Sequence, residues 1–268
     1  MVRATRSELT RLNHRSFRLG WLGLTTLLTA MFTTVVFKAA SGGTPIPSSA
    51  PGGSFPSLAE LTGRHGQVAG LGAAATILGV VTLAYWAIAT ASDYTTGLIR
   101  LLVQAEPHRL RLLAGKVLAL TCWTAAAATV ATAVSVALSP LIARATDLSM
   151  SGWMSAPGDV VALIASTWLN TFLALVVWGV IGLVIALLTR SAAVAISVGV
   201  GYVLVIEGAV RLVASNLADK LPGATLTALA GGGSDTLGYG AAIGLGLTYA
   251  TIGLGAAALV LARRDVTE

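Results

Sequence analysis

The chain has 268 residues, a mean hydropathy of +0.82 and only 10% charged residues. A soluble domain carries about 25% charged residues, so the composition excludes one and indicates an integral membrane protein. The net charge of +6 does not indicate nucleic acid, because the basic residues gather at the ends of apolar runs. The single cysteine, Cys122, excludes an internal disulfide and reads as a small apolar side chain within a span.

Runs free of Asp, Glu, Lys and Arg mark the elements in chain order: 19–37, 65–92, 117–143, 160–189 and 236–262. Each reaches the roughly 20 residues a helix needs to cross a bilayer. A further run from about 192 to 213 is interrupted by Glu207 and Arg211. We expect an all-α, polytopic bundle forming one transmembrane domain over 1–268. Its six spans fall at about 18–38, 67–91, 115–138, 160–188, 192–213 and 239–262. The prolines lie between spans or at their edges, so the spans are expected to be continuous helices.

Arg3, Arg6, Arg11, Arg15 and Arg18 precede the first span. Arg100, Arg109, Arg111 and Lys116 follow the second, Arg190 follows the fourth, and Arg263 and Arg264 close the sixth. The opposite side holds Lys38, Arg64, Arg144 and Lys220. The positive-inside rule then makes both termini cytoplasmic, in a multi-pass cell-membrane protein. A signal peptide over residues 1–41 fits poorly, since the 19-residue apolar run exceeds an h-region of about 7–15.

The external loops are expected at 39–66, 139–159 and 214–238. The first contains "SGGTPIPSSAPGGSFPS" and reads as an extended tether. The last places Leu217, Leu221, Leu226 and Leu229 among polar residues, which indicates one or two short re-entrant helices before a Gly run. "GGGSD" has no strand before it, so it is a poor phosphate loop. Trp21, Trp86 and Trp123 lie near the cytoplasmic ends of their spans and read as interfacial anchors. Gly66 with Gly70, and Gly240 with Gly244, have the spacing that lets helices approach closely.

Catalytic signatures are missing. "AGKV" at 114–117 lacks the Ser or Thr of a P-loop, and Leu110 stands where its first glycine would be. His14, His65 and His108 fall in three separate segments and do not make a metal cluster. We expect no enzyme activity from the chain itself and no cofactor or metal in it. Glu207 and Arg211 are i, i+4 in the fifth span and can pair. Glu207 lies 17 residues beyond Arg190, or about 25 Å along a helix. A structural pair near the outer interface is therefore expected, with a place in a substrate pathway as the minority reading.

The stretch "DYTTGLIRLLVQAEPHRLRLLAGK", residues 93–116, reads as a short helix, a break at Glu106–Pro107, and a basic helix running into the third span. It resembles the first cytoplasmic loop of ABC-2 type transporter permeases through Asp93, Gly97, Leu101, Leu102, Pro107, Arg109, Gly115 and Lys116. Asp93 stands where Glu is usual in that family, and Leu98 where Thr is usual. The tail "SELTRLNHRSFR" is similar to the family's amphipathic connecting helix through Glu8, Leu9, Arg11 and Leu12. "LPGATLTALAGG" and the closing "RRDV" also resemble family features.

The resemblance implies the transmembrane subunit of an ATP-driven exporter in a bacterial plasma membrane. It would pair with a second permease chain, as a homodimer or heterodimer, and with separate ATPase subunits that bind ATP and Mg. A coupling loop at 92–114 would contact the ATPase through Asp93, Gly97, Arg100, Leu101, Glu106 and Arg109. The spans lack mid-membrane charges, which favours an apolar or amphipathic cargo. The alternative is an ion-coupled carrier, or an immunity or scaffold protein without an ATPase, for which mid-membrane charges or broken helices are the discriminating sign.

Overall fold

The computed structural model describes residues 2–42, 56–98, 101, 104, 108–153 and 156–263. These residues are helical, with no strand among them. The helices are α1 (Val2–Leu12), α2 (Arg15–Ser41), α3 (Leu58–Thr62), α4 (Ala69–Thr95), α5 (Arg109–Ala145), α6 (Pro157–Thr189), α7 (Ala192–Gly201), α8 (Glu207–Val213), α9 (Ser215–Ala218), α10 (Pro222–Gly231) and α11 (Tyr239–Arg263). Five are long and apolar enough to cross a membrane: α2, α4 with the 3-10 turn before it, α5, α6 and α11. The protein is a multi-pass membrane protein.

Local chemistry sets the ends of these helices. The His14 imidazole accepts from the Phe17 N–H at 3.2 Å and starts α2. Ser57 and Glu60 form a reciprocal capping box at α3. Gly97 adopts φ +69° just beyond α4, a left-handed stop that costs glycine little. The Gly run ends α10 in the same way, with Gly232 at φ +80° and the Gly233 N–H bonded to the Ala228 carbonyl at 2.7 Å.

α4 and α6 form the buried centre of the bundle. Each supplies a glycine against which the other lays a tryptophan: Trp178 covers Gly79, and Trp86 covers Gly179. A Cβ at Gly182 would lie 2.3 Å from the Leu83 carbonyl oxygen, so the two backbones nearly touch. α2 leans on α4 and α5 through small polar residues, Thr25, Thr29 and Thr33, with Thr132, Ser135 and Ser139 buried on α5. α11 is the least enclosed of the five long helices.

Several expectations change. The segment 192–213 is helical, but it is split into α7 and α8 by a π-helical turn at Tyr202–Ile206, so it is not a continuous α-helical span. α5 extends to Ala145 with Pro140 inside it, so the third helix ends later than 138. Trp21 and Trp86 are fully buried, and Trp21 stacks on Tyr85 at 5.0 Å. They are core residues rather than anchors, because the aromatic cluster of Phe17, Trp21, Tyr85 and Trp123 closes that end of the bundle. Cys122 is exposed on α5. Of the two glycine pairs, Gly66 and Gly70 meet Trp153 and Thr33, whereas Gly240 and Gly244 face open space.

Replacing Gly79 or Gly179 by Val should therefore destabilise the bundle by about 1–3 kcal/mol through overpacking. Gly244→Ala, with nothing within 4 Å, should not. Thermal unfolding of the detergent-solubilised protein measures both.

Candidate functional site

The site lies where α1 meets the last turn of α4 and the start of α5, about two turns in. Glu8 and Arg11 are three residues apart, so they share a face of α1 and bond each other at 2.6 Å. Asp93 lies in the last turn of α4, just before the Gly97 stop. Gly115 and Lys116 lie two turns into α5, and both are buried.

Lys116 Nζ reaches Asp93 Oδ2 at 2.6 Å, the Ala89 carbonyl at 2.9 Å and Glu8 Oε2 at 3.7 Å. Arg11 donates one guanidinium nitrogen to Glu8 and the other to Asp93. Two carboxylates and two cations thus close a neutral network in which each carboxylate faces both cations. Asp93 is 2% exposed, Glu8 6% and Lys116 8%. Leu112, Leu113, Leu187, Leu261, Tyr94 and Thr90 surround it, and a small cavity of about 30 Å³ lies among them. Charges at that burial are tolerated only when paired and hydrogen-bonded, as these are.

Two further cations tie the same end together. Arg109, at the start of α5, donates to the Leu261 carbonyl in the last turn of α11 at 3.1 Å, where a cation suits the helix dipole. Arg190 ends α6 in a left-handed conformation, with its guanidinium 5.8 Å from the Tyr94 ring centre.

The residues expected to contact an ATPase divide accordingly. Asp93 is not in water, because Lys116 and Arg11 hold it inside the bundle. Arg109 is half-buried against α11. Gly97 and Leu101 are exposed, Leu101 by 63%. Arg100 and Glu106 lie outside the described residues. The described parts of the segment at 98, 101 and 104 are helical.

The Glu207–Arg211 expectation is also revised. Arg211 reaches Asp219 at 3.6 Å. The Glu207 carboxylate accepts instead from the Gly223 and Ala224 N–H groups at the start of α10, at 2.6 and 3.2 Å. Helix N-terminal donors meet a buried carboxylate at shorter range than the flexible arginine does. Among the described residues, no group of His, Cys, Asp and Glu could hold a metal ion.

Sequence reasoning noted Glu8, Arg11, Asp93 and Lys116 singly and missed that they meet. The available signal was two charges of each sign beside spans that end on one side of the membrane.

Lys116→Met leaves Asp93 and Glu8 short of a cation and should destabilise by about 3–5 kcal/mol. Adding Asp93→Asn should restore much of that loss, read as thermal stability of the single and double variants.

No family model matches the chain, and no curated protein matches it significantly.

Proposed function

We propose that the chain is the membrane-spanning subunit of an ATP-driven exporter. It would work with separate cassette ATPase subunits and a second permease chain in a cell membrane, with both termini cytoplasmic. The supporting observation is the ion network at the base of the segment after Gly97. It clamps α1 to the two helices that flank this segment, the last turn of α4 and the start of α5. A push on the segment is then delivered to three helices at once, as a lever requires. The aromatic cluster beside the network and the α4–α6 centre behind it carry the load onward.

In this reading the exposed Gly97 and Leu101 meet the ATPase, and the sequence expectation adds Arg100 and Glu106 to that contact. Asp93 and Lys116 transmit the movement from inside. ATP binding closes the partner subunits and tilts the stems of α4 and α5. The cargo is apolar or amphipathic, in keeping with the uncharged faces of the long helices.

One observation favours the carrier reading. The π turn at Tyr202–Ile206 is the kind of helix break that ion-coupled carriers use, and Glu207 is buried beside it. The exporter reading is preferred because that carboxylate is already held by α10. The two readings separate on energy source. An exporter moves cargo in vesicles supplied with ATP and the ATPase after ion gradients are collapsed, and a carrier does not.

Gly97→Pro cannot hold φ +69°. It should leave the chain inserted yet abolish co-purification with the ATPase or transport-stimulated ATP hydrolysis. Retained assembly and export would reduce the segment to a basic loop. Orientation has its own check: a cysteine at Ser234 should label from outside intact cells, and one at Thr10 should not.

A further inference from the structure

One side of α2 is uncovered along its length, and cations mark both ends of it. Every fourth residue from Phe17 to Phe37 is buried against the bundle. The row two residues out of step, Arg15, Leu19, Gly23, Leu27, Met31 and Val35, is exposed. Two residues turn a helix by about 200°, so the two rows lie on opposite sides of α2 at every level. Leu19 is 62% exposed and Leu27 64%, and a Cβ at Gly23 would meet nothing within 4 Å. The uncovered side starts at Arg15 and Arg18 and ends at Lys38, all three exposed. Arg18 and Lys38 are 20 residues apart, or about 30 Å along the helix. That is the thickness of a bilayer's hydrocarbon core. The spacing puts both cations at headgroup depth with apolar side chains between them. A protein partner imposes no such length.

The two ends differ in charge. At the end where Arg15 and Arg18 lie, Arg6 of α1 and Arg263 of α11 are exposed as well. Among the described residues, the carboxylates at this end are Glu8 and Asp93. Both are buried, and Arg11 and Lys116 already hold them. The network is neutral in itself, so it offsets none of the surface charge. At the far end cations have carboxylates beside them. Arg64 lies 3.6 Å from Asp159, and Arg211 lies 3.6 Å from Asp219. The excess of positive charge thus stands at one end, where α2 enters the bilayer.

We propose that Arg15 and Arg18 form a binding surface for anionic phospholipid headgroups, with Arg6 adding to the same field. The two arginines are three residues apart and so are neighbours on α2. A guanidinium offers paired donors that match the oxygens of a phosphate. Leu19, one turn on from Arg15, meets the upper acyl chain of the same lipid. A zwitterionic headgroup also carries a phosphate, but its own ammonium cancels the charge. An anionic lipid supplies net attraction to the excess at this end. Arg11 has no part in this surface, because it is spent inside on Glu8 and Asp93. The surface bears on the ion network all the same. Only Asn13 and His14 separate α1 from α2, so a lipid that fixes the start of α2 also fixes where α1 docks. None of this depends on the exporter reading, since the surface belongs to this chain and the bilayer.

The test uses the full chain with Cys122→Ala in phosphatidylcholine nanodiscs. A bimane is attached at Leu19→Cys, or at Val35→Cys near the other end of the same row. Its quenching by a trace of acyl-chain spin-labelled phosphatidylglycerol is compared with that by equally labelled phosphatidylcholine. The preference for phosphatidylglycerol at residue 19 should exceed that at residue 35 about fivefold or more, the factor for one further basic side chain at a membrane surface. Raising the salt should shrink this excess. Arg15→Gln with Arg18→Gln should abolish it, whereas Arg15→Lys with Arg18→Lys should keep most of it. Lys38→Gln should leave residue 19 unchanged. Equal preference at the two positions in the parent, or an excess kept in the double Gln variant, overturns the proposal. So does displacement of the lipid by inorganic phosphate at matched ionic strength, which marks an ion site, or by a poly-glutamate peptide, which marks a surface for an acidic protein. If the double variant fails to insert, Arg18→Gln alone and the parent's salt dependence decide.

Discussion

The burial of Lys116 between Asp93, Glu8 and the Ala89 carbonyl constrains everything at its end of the bundle. An ammonium in an apolar surround must find acceptors, and those acceptors come from two other helices. α1 therefore docks beside the ends of α4 and α5 instead of lying free. Once docked, it brings Leu12 into the core, while Phe17 and Trp21 at the start of α2 join the same cluster. The aromatic packing, the paired charges and the Arg109 and Arg190 ties all converge where the five long helices have an end. This makes a stiff plate at one end of the protein. The other end is built from short helices, a π turn and the paired glycines Gly232 and Gly233.

Much of the architecture was legible in the sequence, because lipid imposes long uncharged runs and the chain obeys. The short helices before the last span were expected from the leucines at 217, 221, 226 and 229, whereas the stop at Gly97 carried α4 past the expected end at 91. The sixth span was less faithful. Tyr202–Ile206 is as apolar and helix-compatible as its neighbours, and nothing in the pattern of side chains announces an extra residue in a turn. That break follows from what Glu207 must reach, which is a tertiary fact. Trp21 and Trp86 were misplaced for a similar reason. Position along a span gives depth but not facing, and facing depends on which glycine of a neighbouring helix leaves room, as Gly179 does for Trp86.

The site was half legible. Glu8, Arg11, Asp93 and Lys116 each stood out as charges beside apolar runs, yet their pairing spans the chain and leaves no periodic trace. Glu207 and Arg211 had such a trace, the i, i+4 spacing, and it misled. The N–H groups of a helix beginning in Pro–Gly outcompeted the cation nearer in sequence. Buried carboxylates in this chain find their partners through space, on backbone as readily as on side chains.

The pairing of Arg11 with Asp93 spans 82 residues. At a synthesis rate of about 5–20 residues per second, several seconds or more pass before the second partner leaves the ribosome. During that interval Glu8 and Arg11 of the first helix lack the Asp93 and Lys116 partners they will later share. It cannot dock until the second and third long helices have been laid into the bilayer. The amino-terminal helix is thus made first and seated late, and its seating marks completion of that half of the bundle.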